Sequence, residues 1–126
     1  VVPTNNRMVV EEFLDKVARA LDGNGSLIIV DRRKYREAVA DFNISPSDVK
    51  ETIRHLTCDH YYRGPRTDND NHKALICEFG VSVDEIEVYI KLKLAELGGA
   101  VFCTCISFHR AEAPLQYPLR GGENND

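Results

Sequence analysis

Three stretches of the chain hold side chains that move protons or bind anions. Tyr89, Lys91 and Lys93 alternate along one segment, and Ser107 and His109 along another. A phenol, an imidazole and two ammonium groups on one surface suit a phosphodiester, offering proton transfer and anion stabilisation together. A solvated sheet face is polar too, so residue types alone leave an inert surface open. Upstream, His60, Tyr61, Tyr62, Arg63 and Arg66 interleave cations with aromatics. Either tyrosine suits stacking of an unpaired base or packing in a core. Cys103, Cys105 and His109 are metal-ligand types on one expected strand face. At about 3.3 Å per residue, however, Cys103 and His109 lie roughly 20 Å apart. One zinc ion, with ligands at about 2 Å, cannot bridge that span. The expectation is no metal site and no cofactor, with the cysteines at 58, 77, 103 and 105 buried and reduced, as in a cytoplasmic protein. His55 in a helix's last turn faces the dipole favourably, and His72 falls in a polar loop.

The elements that must position these groups follow from periodicity. Val9, Val10, Phe13, Leu14, Val17 and Leu21 predict a helix over Val9–Leu21, stopped by Asp22-Gly23-Asn24-Gly25. Ser26–Val30 reads as a short strand or buried connector. Asp31 is the expected N-cap of a helix from Arg32 to Phe42. Ser45-Pro46-Ser47-Asp48 starts a third helix reaching about Leu56, with Ser45 as cap and Pro46 in its first turn. Gly64–His72 lacks apolar residues and reads as a surface loop. Ala74–Val81 follows as a strand. Glu85–Ala95 then alternates, with Ile86, Val88, Ile90, Leu92 and Leu94 on the core face. Gly98-Gly99 marks a hairpin, and Val101–His109 is the return strand. The expected class is α+β, with N-terminal helices packed on a small antiparallel sheet. The folded core is expected over residues 8–111, with a loose tail over 112–126.

Register decides which groups meet. Opposed residues of an antiparallel pair have a constant sum and share a face. With even positions buried on the first strand and Phe102, Ile106 and Phe108 on the second, the sum must be even. A three-residue loop, Gly98-Gly99-Ala100, satisfies this, whereas a two-residue Gly98-Gly99 turn would bury Lys91 beside Ile106. Tyr89 then faces His109, Lys91 faces Ser107, and Lys93 faces Cys105.

At 126 residues, 43% hydrophobic and 29% charged, the chain suits a single domain with one core. Sixteen Lys and Arg against 20 Asp and Glu give a net charge of −4, and the pI is near 5.6. General electrostatic attraction to nucleic acid is thereby disfavoured, but a local basic site is not. The longest apolar run, Leu27 to Val30, is far short of the roughly 20 residues that span a membrane. The first seven residues are expected to fray, show no secretory signal, and place Met8 as the expected initiator.

Three motifs carry a resemblance: Leu56-Thr57-Cys58-Asp59-His60-Tyr61-Tyr62-Arg63, Glu87-Val88-Tyr89-Ile90-Lys91-Leu92, and Ile106-Ser107-Phe108-His109. In order and spacing they resemble bacterial mRNA interferase toxins of the MqsR type, related to RelE-like toxins, over about residues 35 to 109. The resemblance implies a cytoplasmic, metal-independent endoribonuclease acting on mRNA, with a small sheet flanked by helices and a cognate antitoxin as partner. Carried over by position, Arg63 stands where the family has a catalytic Lys, Tyr89 matches its strand Tyr, and His109 takes its final Lys. The family's glutamine is matched here only by Cys77 or Glu78. An arginine at 63 keeps the charge but is a poor proton donor, whereas a histidine, as at 109, is a true acid/base type. The implied mechanism is 2′-OH attack on the phosphodiester. His109 serves as acid or base, Tyr89 orients or shares the transfer, and Arg63 and Lys91 stabilise charge. Arg66 and Lys93 guide the strand, Tyr62 (or Tyr61) stacks a base, and His60 is a reserve base. A non-catalytic protein-binding module, or an inactive toxin homologue, acting through its sheet face and tail is the alternative.

Overall fold

In a computed structural model of the chain, three helices cover one face of a five-stranded sheet. The structure describes residues 7–23, 27–71 and 73–121. The expectations for the N-terminal residues 1–6, the turn residues 24–26, His72 and the end of the tail, 122–126, lie outside them. The elements are α1 (Arg7–Gly23), β1 (Leu27–Ile29), α2 (Arg33–Phe42), α3 (Pro46–Arg54), a 3₁₀ turn (Cys58–His60), β2 (Tyr61–Thr67), β3 (Ala74–Val83), β4 (Ile86–Leu97) and β5 (Ala100–Arg110). The α+β expectation holds, but the sheet is larger than three antiparallel strands. Its order is β1-β5-β4-β3-β2, with β1 parallel to β5 and the other pairs antiparallel.

Helix α1 buries Val10, Phe13, Val17, Ala20 and Leu21, one stripe at helical spacing, and sets Phe13 6.1 Å from Phe79 of β3. Each of the four larger side chains, fully buried, contributes about 1.5–3 kcal/mol. Ser45 caps α3 as expected: its hydroxyl accepts from the Asp48 amide while Asp48 Oδ2 accepts from the Ser45 amide at 2.9 Å. That helix ends at Arg54, before Leu56. The N-cap of α2 is Arg32 rather than Asp31, and it makes no side-chain cap. Asp31 Oδ1 instead accepts from Arg36 at 3.0 Å.

Two corrections decide what reaches the open face. First, the stretch read as a loop from Gly64 begins as strand, because β2 continues to Thr67. It is an edge strand, where Pro65 removes no needed donor. Gly64 lies so close to the backbone of β3 that a Cβ there would stand 2.8 Å from the Ile76 carbonyl. Second, the β4–β5 hairpin uses both registers. Gly98 and Gly99, at φ +57° and +83°, form the two-residue turn, and Leu97 pairs Ala100 through Leu92 with Cys105 at a sum of 197. A bulge that leaves Ile106 without a partner then raises the sum to 198, so Lys91 pairs Ser107 and Tyr89 pairs His109. Lys93 therefore faces Thr104, not Cys105. Cys103 and Cys105 fill the core, and Phe102 and Ile106 are only half-buried. The Cys105 thiol spans the bulge, donating to the Ser107 carbonyl at 3.4 Å.

The segment after Ala111 is held through residue 121. It crosses the end of the sheet as a strap. The Leu115 amide and the Tyr117 hydroxyl donate to Glu87, at 3.1 and 2.7 Å. Leu119 is buried, and Arg120 Nε donates to the Asp59 carbonyl at 3.2 Å. Leu115 and Tyr117 lie where a side chain at Gly80 would project.

Candidate active site

Cross-strand rows build the face that the helices leave open. One row runs Arg63, Glu78, Lys91 and Ser107 across β2, β3, β4 and β5; the next runs Gly80, Tyr89 and His109. A third holds Arg66, Ile76, Lys93 and Thr104. The rows exist because strand alternation puts these residues opposite the core positions Phe79, Val88, Ile90, Leu92 and Phe108.

Glu78 organises the face. Only 1% exposed, its carboxylate accepts from Arg63 Nε at 3.1 Å to each oxygen, from Arg66 Nη1 at 2.6 Å and from the Tyr89 hydroxyl at 2.6 Å. Burial alone would push this carboxyl up, but the bonds from Tyr89, Arg66 and Arg63 outweigh it and hold it below the usual range. Tyr89 responds oppositely: burial and the Glu78 carboxylate push its phenol well above its ordinary value. A phenol bound to a carboxylate holds its proton, so the Tyr89 hydroxyl is committed to Glu78. The Tyr89 ring lies 5.4 Å from that of His109. The two guanidiniums keep a net positive charge after Glu78 cancels one of them.

His109 has a geometry that suits proton transfer. Its Nδ1 lies 2.8 Å from the Arg110 carbonyl. A carbonyl only accepts, so Nδ1 carries the hydrogen and the neutral ring keeps the Nε2 lone pair for a substrate. Lys91, beside it in the next row, makes no ion pair among the described residues. Lys93 is occupied: its ammonium lies 3.0 Å from Asp68, and that bond holds the Asp68 carboxyl below its ordinary value.

The other expected groups divide. Tyr62 is half-buried with the Arg63 guanidinium 4.8 Å over its ring, while Tyr61 is buried in the core. His60 Nδ1 accepts the Thr57 amide at 2.9 Å, so Nε2 bears its hydrogen. Burial, and then Arg120, hold its pKa below the ordinary value. No described hydrogen bond joins His60 to the Arg63 cluster. Cys103 and Cys105 point into the core, whereas His109 lies past the bulge on the open face, so the three do not share a face. Burial pushes the thiols of Cys77, Cys103 and Cys105 up to about 12.

Sequence reasoning missed the acidic partner. Glu78 sits inside the apolar run Ala74–Phe79, where a lone carboxylate signals a buried ion pair. Glu87 and Tyr117 were also missed, because the tail reads as unstructured. Comparisons with family models, curated proteins and solved structures find no match for the chain.

Proposed function

We propose that the chain is a ribonuclease that cuts single-stranded RNA by internal attack, the toxin of a pair whose antitoxin covers the open face, acting in the cytoplasm. One observation carries the reading: His109, with Nε2 left as acceptor, lies beside Tyr89 in a row adjoining Lys91 and the Glu78-anchored arginines. In the step proposed, Nε2 takes the 2′-OH proton and the 2′-oxygen bonds to phosphorus. The P–O5′ bond breaks, and the 5′-oxygen takes a proton from water at the exposed rim. Lys91 and the outer edge of Arg63 balance charge on the non-bridging oxygens. Arg66 backs Arg63 through Glu78, and Tyr62 offers a stacking face. The reaction needs no metal, because the base and the charge stabilisers are all side chains. Among the described residues no helix is long and apolar enough to cross a membrane.

One observation favours a second reading, a protein-binding module: Tyr89, Arg63 and Arg66 are tied to one another through Glu78. Incubating the purified chain in EDTA with an RNA oligonucleotide and its all-deoxy analogue separates the two. The ribonuclease reading expects the RNA cut and the DNA intact. An RNA left uncut by the folded protein supports the module.

A further inference from the structure

A cleft of 270 Å³ opens at the β5 edge of the sheet, beyond the end of β1. Arg32, Arg33 and Lys34 line one side, Ser107 and His109 the other, and no carboxylate takes part. The acids Glu37, Asp41 and Glu112 line an adjoining cleft of 200 Å³ that shares Arg33, Lys34 and His109 with the first. There Glu37 holds Arg33 at 3.1 Å, Asp41 holds Arg110 at 3.6 Å, and Glu112 holds Lys34. Arg32 makes no ion pair among the described residues. Arg33 and Lys34 line both clefts and are held by those acids, which leaves Arg32 as the cation of the first cleft open to an anion.

The acid-free cleft continues the row across the sheet. Ser107 pairs Lys91, Lys91 pairs Glu78, and Glu78 pairs Arg63. Three inter-strand spacings, about 14 Å in all, separate β2 from β5. A positive track therefore runs from Arg63 over Lys91 to Arg32, long enough for more than one backbone phosphate. A guanidinium fork matches phosphate oxygens, and the Ser107 hydroxyl adds a neutral donor.

We infer that this cleft is a subsite for a backbone phosphate of single-stranded RNA, next to the phosphate held over Lys91 and His109; the identity of the polymer rests on the ribonuclease reading. An acidic peptide would need the same charges but gains nothing from continuity with His109.

The test uses a fluorescein-labelled, fully 2′-O-methylated single-stranded octanucleotide, which cannot undergo 2′-OH attack, with anisotropy followed against salt. Arg32→Ala should weaken binding and flatten the slope of log K against log salt by about 0.7, the loss of one single-strand phosphate contact. Arg32→Glu should weaken it further. Arg19→Ala, on the exposed side of α1, should leave it unchanged. Unaltered melting of the position-32 variants shows that the fold is kept. A parental slope in Arg32→Ala, failure of the parent to bind, or displacement of the oligonucleotide by an oligoglutamate at equal charge overturns the subsite. Unmodified RNA keeps the two readings apart. Binding with the expected slope but no cleavage upholds the subsite and removes the ribonuclease. Cleavage with parental KM and slope in Arg32→Ala does the reverse.

Discussion

Removing the Glu78 carboxylate strips the open face of the group that holds it together. In Glu78→Ala, Arg63, Arg66 and Tyr89 all lose their common acceptor. A hydrogen bond to a charged group contributes about 1.5–3 kcal/mol, so simple addition overshoots. Arg63 and Arg66 are 40% and 31% exposed, and water takes back much of what they lose. The half-buried Tyr89 hydroxyl recovers less. The expected cost is about 3 kcal/mol, the low end of the range for breaking a buried pair. For a chain of this size that is a fall of roughly 10 °C in Tm. Glu78→Gln keeps the volume and one carbonyl acceptor, and should cost about 1–2 kcal/mol. The acid dependence gives a second readout. The folded carboxyl lies below its ordinary value, so its stabilisation is complete above the unfolded value, about 4.3. It is lost as pH falls through the folded value. Urea denaturation near pH 7 and again at about pH 3 should therefore show the gap between parent and Glu78→Gln narrowing in acid. A Glu78→Ala protein melting within about 2 °C of the parent, or a gap that stays constant on acidification, refutes this role.

Phe108→Ala empties a fully buried position on β5 and should cost about 3–5 kcal/mol in urea denaturation; a loss within experimental error would mean that β5 does not carry the core as described. A Cβ at Gly80 collides with Leu115 and Tyr117, so Gly80→Ala should lift the strap and speed tryptic cleavage after Arg120. An unchanged cleavage rate would place the strap elsewhere. All four cysteines are buried, and burial raises their thiols. Native protein near pH 8 should thus resist iodoacetamide until unfolded, as judged by intact mass, and rapid labelling of any one would contradict its burial.

The alternation of β4 was legible because one face of that strand is continuously apolar, and it correctly placed Tyr89 beside His109. The parity argument failed elsewhere by assuming a single register. The Gly98-Gly99 turn imposes one sum, core packing of Phe108 imposes another, and the chain meets both by leaving Ile106 in a bulge. No periodicity signals such a residue, because its neighbours fit either register. The part Glu78 plays as common acceptor went unread for a related reason: two of its partners, Arg63 and Arg66, lie on β2, where Gly64 and Pro65 look like loop residues until an edge strand is available to hold them. The tail escaped notice because its anchors are long-range, Tyr117 to Glu87 and Arg120 to Asp59. Local composition cannot show such contacts.

The proposed ribonuclease activity starts with His109 taking the 2′-OH proton. Cutting a defined single-stranded RNA in EDTA, with parent and His109→Ala compared by mass spectrometry of the new ends, tests it most directly. The parent should leave 2′,3′-cyclic phosphate ends, and a His109→Ala protein of unchanged melting temperature should cut about 10²–10⁴ more slowly. Ends bearing a 5′-phosphate, or a folded His109→Ala protein cutting at the parental rate, would contradict it.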